Sequence, residues 1–379
     1  MRIGYITKED PKNVRAYSGT HYAMYQALKG EFEEVVPLGP VDHWYKNIAK
    51  LKGKLYTFGS EKTFKFQYDI DLAKIHAKQL EEKIRKLEPD ILLGSLVSPE
   101  VAFLKTDVPL YLTTDATFPL LQDLYKSHSN LHSLSIRNAL ILERMAFEKA
   151  RKLLLPLDWL SISAQNNYRI PESKIEVIPY GSNLLSPPEN KVQDFIQERV
   201  RSEELKFLFV GVRWEEKGGP EAVGIIKELN RKGIKAKLIV VGSTPRIEEE
   251  CVEVIGFLDK QDANQLSKLI ELYQSSTFFI LPTKAECVGM SFIEAASYGL
   301  PAIGSNVGGV PEAVNHKETG LIIDPEENPS KTADKIAELW NDKSIYEEMS
   351  VQARKRYSEH MNWKNWANRV KEVLSKEIT

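Results

Sequence analysis

The stretch that decides the fold is residues 277–301, which reads TFFILPTKAECVGMSFIEAASYGLP. Its first part, residues 277–281, is a short run of apolar, aromatic and β-branched side chains, which indicates a parallel strand buried on both faces. Its last part, residues 291–298, carries apolar residues at helical spacing and stops at Gly299, which predicts a helix with a glycine C-cap. The stretch therefore predicts a strand, a loop and a helix.

The loop of this stretch has the features of an anion site. The free amides of Gly289, Met290 and Ser291 lie at the start of the predicted helix, where the positive end of the helix dipole favours a phosphate. Glu286 and Glu294 flank this site, and carboxylates accept strong hydrogen bonds from sugar hydroxyls. The pattern predicts a phosphate ester with sugars on both sides. The alternative is that both are solvated acids, one on a loop and one on a helix surface.

Glu286 and Glu294, with Gly289 between them, resemble the E-x7-E motif of retaining GT-B glycosyltransferases, particularly glycosyltransferase family 4. The resemblance continues through residues 305–312 (SNVGGVPE) and 319–322 (TGLI), and it covers roughly the C-terminal half. It implies an α/β fold of the GT-B type, with two Rossmann-like domains whose parallel sheets face each other across a cleft. It also implies that the protein is an enzyme, a glycosyltransferase that uses a nucleotide-sugar donor.

Length and composition agree with two domains. A chain of 379 residues is longer than a single hydrophobic core usually supports. Its net charge of −2 gives no general attraction to nucleic acid. Cys251 and Cys287 have neither disulfide nor metal spacing, so we expect a reducing compartment. Cys287 is interpreted as a small apolar loop residue rather than a nucleophile. No apolar run approaches the ~20 residues of a membrane-spanning helix, and residues 1–6 are interpreted as a strand, so we expect a cytoplasmic protein.

Strands and helices alternate through both halves, which predicts parallel sheets with right-handed crossovers. We predict an N-terminal acceptor-side domain over residues 1–182 and a C-terminal donor domain over residues 205–358. Residues 183–204 are predicted to be a proline-containing linker and a leading helix. By the resemblance, residues 359–379 form a helix that returns to the N-terminal domain. The absence of a G-x-G-x-x-G turn after either first strand argues against a dinucleotide dehydrogenase.

The turn at residues 211–219, GVRWEEKGG, places two cations among glycines. Arg213 and Lys217 would neutralise the charge that grows on a departing nucleoside diphosphate. The family usually has Gly-Arg followed five residues later by Lys. Lys217 keeps that place relative to Gly211, whereas Val212 occupies the Arg position and Arg213 comes one residue later. The alternative is a surface Arg and Lys beside two glutamates.

Two more turns of the C-terminal half are predicted to contact the donor. Gly242 and Ser243 follow a strand predicted over residues 237–241. Phe257 and Leu258 lie where the family binds the nucleobase through backbone groups and an apolar face. Such contacts leave little trace in a sequence, so UDP and GDP sugars both remain open.

Two residues of the N-terminal half are predicted to lie near the ligands. Gly19 opens a helix and lets the backbone approach a ligand, although the family usually has a Gly-Gly pair there; a simple N-cap turn is the alternative. Asp115 follows the end of a predicted strand, where α/β folds place ligands. The family commonly has a His near this place, so Asp115 or Thr114 is predicted to stand in for it. The alternative is that Asp115 caps the helix before Pro119.

Two further patterns concern metals and membranes. The D-x-D at residues 69–71 lies at a helix start, so we interpret it as capping rather than as a metal site. The seven histidines show no metal-ligand spacing, and no metal or other cofactor is expected. Residues 44–66 interleave lysines with aromatic and apolar side chains. Such a segment can hold an amphipathic element against an anionic membrane, and a solvated helix and a mobile acceptor-side loop are the alternative.

Together these patterns predict a metal-independent, retaining transfer of a sugar from a nucleotide diphosphate sugar to a hydroxyl acceptor. Glu286 would orient the sugar and Glu294 would hold the ribose. The product would be a glycan, a polysaccharide or a glycolipid, and glycan, lipid-linked and small-molecule acceptors stay open. The sequence does not indicate an oligomeric state. A nucleotide-sugar 2-epimerase of the same fold, or a non-catalytic nucleotide-sugar binding protein, remains as an alternative.

Overall fold

The computed structural model describes residues 1–376, which form two compact units. The first unit contains Met1–Pro179 and residues 363–376, and the second contains Tyr180–Asn362. Residues 183–204, expected to be a linker and a leading helix, belong to the second unit because Val192 and Ile196 are buried there.

The first unit is built on a six-stranded parallel sheet. Its strands are β1 (Arg2–Ile6), β2 (Glu34–Pro37), β3 (Ile91–Ser95), β4 (Leu110–Thr113), β5 (Lys152–Leu155) and β6 (Ile175–Val177). They lie in the order β2-β1-β3-β4-β5-β6. The chain runs from β1 to one side and returns to β3 on the other. The carboxyl ends of β1 and β3 therefore mark a topological switch point, where open α/β sheets bind ligands.

Helices connect these strands. They are α1 (Thr20–Glu31), α2 (Lys46–Tyr56), α3 (Ile70–Leu87), α4 (Ser98–Val101), α5 (Phe118–Leu124), α6 (Lys126–Ser129), α7 (Ser133–Lys149) and α8 (Asp158–Tyr168). Asp69 caps α3, since its side chain accepts a hydrogen bond of 2.9 Å from the Leu72 amide. Asp71 pairs instead with Lys52 at 2.7 Å. The capping interpretation of the D-x-D is thus confirmed for Asp69.

The second unit repeats the design. Its strands are β7 (Leu205–Val210), β8 (Ala236–Val241), β9 (Val252–Gly256), β10 (Phe278–Leu281), β11 (Ala302–Ser305) and β12 (Gly320–Ile323). Its helices are α9 (Glu189–Val200), α10 (Gly219–Arg231), α11 (Ala263–Ser275), α12 (Met290–Ser297), α13 (Val310–Ala313), α14 (Pro329–Asn341) and α15 (Lys343–Glu359). The parallel order β12-β11-β10-β7-β8-β9 puts the switch point between β7 and β10. A last helix, α16 (Trp363–Lys376), packs on α1 in the first unit.

One buried cation holds two helix ends of the second unit. Arg199 of α9 donates to the carbonyls of Tyr273 (2.8 Å) and Gln274 (3.0 Å) at the end of α11. It also donates to Tyr298 (3.0 Å) and Gly299 (2.9 Å), just after α12. The last carbonyls of a helix lack intrahelical partners and lie at the negative end of its dipole. Arg199 therefore satisfies both ends and fixes α11 and α12 together.

Candidate functional site

The strongest candidate site lies at the switch point of the second unit, between the turn after β7 and the loop after β10. Lys217 donates to Glu286 Oε2 at 2.9 Å and to the Ala285 carbonyl at 2.8 Å. Both side chains of the ion pair are mostly buried. Two residues that the sequence predicts for one ligand are thus in direct contact.

Glycines allow the turns around this ion pair to approach one another closely. Gly218 has a φ of 76°, and a Cβ there would lie 1.8 Å from the Pro282 carbonyl oxygen. Gly242, after β8, has a φ of 94°, and its Cβ would lie 2.9 Å from the Gly211 carbonyl oxygen. Only glycine adopts these conformations without strain. The turns after β7, β8 and β10 consequently form one compact edge.

The start of α12 adjoins the same pair. Gly289 is the N-cap with a φ of 78°, and a Cβ built on it would lie 3.7 Å from Glu286 Cγ. The amides of Phe292 and Ile293 donate to the Gly289 carbonyl. Met290 and Ser291 lie at the open, positive end of the helix. A favourable place for an anion therefore lies beside the Lys217–Glu286 pair.

Glu294 faces other partners than Glu286 does. It is only 4% exposed, and it accepts hydrogen bonds from Lys260 Nζ (2.7 Å, to Oε1) and from the Tyr273 hydroxyl (3.1 Å, to Oε2). Burial, followed by the charge of Glu294, raises the pKa of Tyr273, which keeps the phenol protonated as a donor. Sequence reasoning missed Lys260 and Tyr273, and the only signal is that Lys260 follows Leu258 by two residues. The alternative that the two acids are solvated is wrong for both.

The other predicted residues of the second unit follow neighbouring strands. Arg213 is exposed and lies 3.1 Å from Glu216. Ser243 is buried, and its hydroxyl has no hydrogen-bond partner within residues 1–376. Phe257 is exposed, whereas Leu258 is half-buried against the core. All of these residues therefore lie at the carboxyl edge of the sheet.

In the first unit, Asp115 contacts Tyr17, which shortly precedes Gly19 in the sequence. Gly19 is the N-cap of α1 with a φ of 93°, and the Tyr17 hydroxyl donates to Asp115 Oδ2. The interpretation of Asp115 as a helix cap is wrong, since Thr117 occupies the N-cap position of α5. Tyr17 itself has a φ of 49°. Such strain in a residue other than glycine is typical of functional sites.

Residues 1–376 contain no group of three or more His, Cys, Asp or Glu side chains placed to hold a metal ion. Cys287 is buried in its loop. Among the helices up to residue 376, none has the length and apolar character needed to cross a membrane.

Solved structures share this architecture over the whole chain. Sucrose-phosphate synthase from Thermosynechococcus elongatus aligns with a TM-score of 0.69 and 15% identity, covering 100% of this chain and 99% of the synthase. The Anabaena protein Alr3699/HepE in complex with UDP and glucose aligns with a TM-score of 0.62 and 15% identity, covering 99% of each chain. The chain has the GT-B fold.

The second unit of this GT-B chain also matches by sequence. Residues 190–356 match the family described as Glycosyl transferases group 1, which identifies this part as a glycosyltransferase domain. The capsular polysaccharide biosynthesis glycosyltransferase CapM of Staphylococcus aureus is 29% identical over 197 residues, covering 49% of this chain and 51% of CapM. The GT-B chain spans about half the length of the curated relatives it matches.

Proposed function

We propose that the protein is a retaining glycosyltransferase of family 4, which transfers a sugar from a UDP- or GDP-sugar to a hydroxyl acceptor. The single observation that carries this proposal is the Lys217–Glu286 ion pair beside the α12 N-terminus. A nucleotide diphosphate sugar carries phosphates next to a sugar. The cation and the helix N-terminus suit the phosphates, and the carboxylate beside them suits the sugar hydroxyls. The group 1 glycosyltransferase match over residues 190–356 supports the same reaction class.

In the proposed reaction, the bond between the sugar C1 and the phosphate oxygen breaks, and the nucleoside diphosphate leaves. The acceptor oxygen bonds to C1 on the same face, and its proton passes to the leaving phosphate oxygen. Lys217, Arg213 and the amides at Met290 and Ser291 stabilise the charge that develops on the diphosphate. Because these groups supply positive charge themselves, we propose that no metal is needed.

Other residues would position the two substrates. Glu286 orients the transferred sugar through its hydroxyls, and Glu294 holds the ribose. Gly242, Ser243, Phe257 and Leu258 contact the nucleotide. Gly19 and Asp115 act from the first unit, and Asp115 replaces the histidine of the family. The product is a glycan, a polysaccharide or a glycolipid.

The test measures nucleoside diphosphate release from a panel of UDP-, GDP- and ADP-sugars, with EDTA and with or without acceptor sugars. We expect release from one nucleotide class, unchanged by EDTA and lost in Glu286→Ala. NMR of the product should show the anomeric configuration of the donor. Conversion of the donor to an epimer without release, or donor binding without turnover, would instead identify one of the two alternatives. An inverted product would overturn the retaining mechanism.

We also propose that the enzyme works in the cytoplasm with α2 resting on an anionic membrane. Ala49 and Gly53 of α2 face the protein, while Leu51 (59%) and Leu55 (68%) are exposed on the opposite face of the helix. Trp44 (65%) before the helix and Phe58 (91%) after it are exposed as well. Exposed lysines, Lys50 and Lys54, lie along the same helix. Apolar side chains flanked by lysines suit the surface of anionic lipid.

A further inference from the structure

A cavity lies wholly within the first unit, apart from the Lys217–Glu286 pair of the second unit, and Tyr17 and Asp115 form part of its wall. Its volume is about 340 Å³. It opens after β1 at Lys8, after β3 at Leu96–Glu100, and after β4 at Thr114–Ala116. These three strands are neighbours, so the cavity lies at the switch point of its own sheet. Its size falls within the range of small-molecule sites.

One wall of the cavity is aromatic. The rings of Tyr68 and Phe118 pack edge to face with their centroids 5.3 Å apart, and the His128 ring lies 6.4 Å from Phe118. Burial, followed by the charge of Lys65, lowers the pKa of His128 to about 4, so this ring is neutral at physiological pH. The wall offers an uncharged, mostly apolar surface, against which the C–H face of a sugar or cyclitol ring can pack.

The other walls are rich in hydrogen-bond acceptors. Carboxyl groups come from Glu100, Asp115 and Glu143, and Gln67 adds an amide. Glu100 is 2% exposed, and its Oε2 has no hydrogen-bond partner within residues 1–376. Its Oε1 lies 3.8 Å from His76 Nδ1, but burial lowers the pKa of His76 to about 4, so this contact is not an ion pair. A buried acceptor without a donor is costly, and a small rotation would let Glu100 accept from a ligand hydroxyl.

The charge of the cavity argues against an anionic ligand. Among its described lining residues, Lys8 is the one that is cationic at neutral pH. Burial raises the pKa of Glu100, and the positive charge of Lys8 opposes that rise. The charge of Lys8 is thus already balanced in part by the Glu100 carboxyl of the same cavity. A phosphate would also face Asp115. The second unit differs, because Lys217 and Arg213 both follow one strand there.

We propose that this first-unit cavity binds the acceptor through an uncharged, hydroxyl-rich ring, a sugar or a cyclitol, and disfavours a ring that carries phosphate or carboxylate. The inference rests on the proposed function, which places the donor in the second unit. A lipid or polymer attached to the ring lies outside the cavity. The backbone of Leu96, with a φ of 56°, adds a strained residue to this edge, as functional sites commonly have.

Saturation-transfer NMR on the full chain tests binding without turnover. The probes are methyl glucoside, methyl galactoside and myo-inositol, each beside its monophosphate ester. We expect transfer to the neutral probes and at least ten-fold less to the esters. Leu121 is a half-buried residue of the cavity wall, and Leu121→Trp should abolish saturation transfer to the neutral probes by filling the cavity. Equal or stronger signals from the esters, no signal from any neutral probe, or unchanged signals in Leu121→Trp would overturn the proposal.

Acceptor-dependent release of nucleoside diphosphate tests the residues. Glu100→Gln should raise the acceptor KM about ten-fold with a smaller change in kcat, whereas the exposed Glu82→Gln should leave both unchanged. Gln67→Lys adds a cation to the wall and should shift kcat/KM about ten-fold toward the ester. An unchanged preference in Gln67→Lys contradicts the charge argument, and misfolding cannot imitate the expected shift.

The two proposals fail in different ways. Binding of neutral rings without any sugar transfer would overturn the proposed function and leave the ligand class of the cavity intact. Sugar transfer with a preference for phosphorylated rings would overturn the cavity proposal and leave the transferase intact.

Discussion

Lys217 and Glu286 form an ion pair, with Nζ 2.9 Å from Oε2, although 69 positions separate them in the sequence. They meet because β7 and β10 are neighbours in the sheet and each residue follows the end of its strand. In the proposed reaction Lys217 stabilises the leaving diphosphate and Glu286 orients the sugar. The ion pair aligns the two groups before the donor arrives, so the chemistry needs little reorganisation.

Replacing Lys217 by Met should lower kcat for donor cleavage by at least 10²-fold, about 3 kcal/mol, because a charge-stabilising contact of the transition state is lost. Lys284→Met is the matched control. Lys284 lies in the loop after β10, close to Glu286, but it pairs with Glu221 at 2.7 Å and is half exposed. Nucleoside diphosphate release measures both variants. Equal losses in the two variants would show that the general positive charge at this edge of the sheet, and not Lys217 itself, matters.

Lys260 is expected to position Glu294 for the ribose. Lys260→Met should raise the donor KM about ten-fold with little change in kcat, since a charge-assisted hydrogen bond of 2.7 Å is removed. Lys268→Met, at an exposed position of α11, is the control and should behave as wild type. Steady-state kinetics with the preferred donor decides. A lower KM in Lys260→Met would mean that Lys260 competes with the donor for Glu294.

Arg199→Met should destabilise the second unit by at least about 3 kcal/mol, because four carbonyls lose a buried donor. Arg201→Met, an exposed replacement at the end of the same helix, should change the free energy of unfolding by less than about 0.5 kcal/mol. Urea unfolding measures both variants. A small effect of Arg199→Met would show that other groups satisfy these helix ends.

The stability of the first unit should depend on the protonation of Glu143. Burial raises its pKa from 4.5 to about 7, against the hydrogen bonds from Tyr168 and the Phe118 amide. The folded form therefore holds the proton more tightly. The contribution of the protonated Glu143 carboxyl to the free energy of unfolding is complete below about pH 4.5 and is lost as the pH rises through about 7.

Glu143→Gln should remove this loss. Between pH 5 and pH 8, the free energy of unfolding should therefore fall by about 2 kcal/mol more in wild type than in the variant. The buried His21 and His76 and the half-buried His128 have pKa values lowered to about 4, and they contribute the opposite slope in both proteins. Glu148→Gln, exposed on the same helix, is the control. Parallel curves for wild type and Glu143→Gln would contradict the raised pKa.

Membrane contact through α2 should depend on the exposed apolar side chains of this helix and of Phe58, which follows it. The triple variant Leu51→Ser, Leu55→Ser and Phe58→Ser should reduce co-sedimentation with anionic vesicles at least ten-fold. Ile162→Ser, which removes an exposed apolar side chain elsewhere in the first unit, should not. Vesicles of zwitterionic lipid should bind more weakly, since each lysine near an anionic surface contributes about 1 kcal/mol. Equal binding to both lipids would exclude the lysines from the contact.

Local patterns in the sequence were sufficient for much of the second unit. Phe292, Ala295 and Ala296 at helical spacing predicted a helix, observed as α12, and Gly289 precedes it as its N-cap. The turn with Lys217 was also recognisable, because glycines on both sides of a cation leave a clear pattern. Such features depend on neighbours within one turn of the chain.

Contacts between distant residues could not be predicted in this way. Asp is a residue type that commonly caps helices, yet the carboxylate of Asp115 accepts a hydrogen bond from Tyr17, which lies 98 positions away in the sequence. Lys260 reaches Glu294 across 34 positions, and no spacing rule connects a loop lysine to a buried helix acid. The cavity of the first unit likewise depends on three strands meeting at one edge.

The adjacency of β7 and β10 also determines how a ligand would act on stability. Because β8, β9 and their connections lie between these strands in the chain, the non-local pairing of β7 with β10 must form before Lys217 and Glu286 can share a ligand. A donor bound to both residues then binds only the folded unit, and it raises the unfolding free energy by RT ln(1 + [L]/Kd), about 2.7 kcal/mol at a hundred-fold excess over Kd. Substrate supply would then protect the second unit against unfolding and proteolysis.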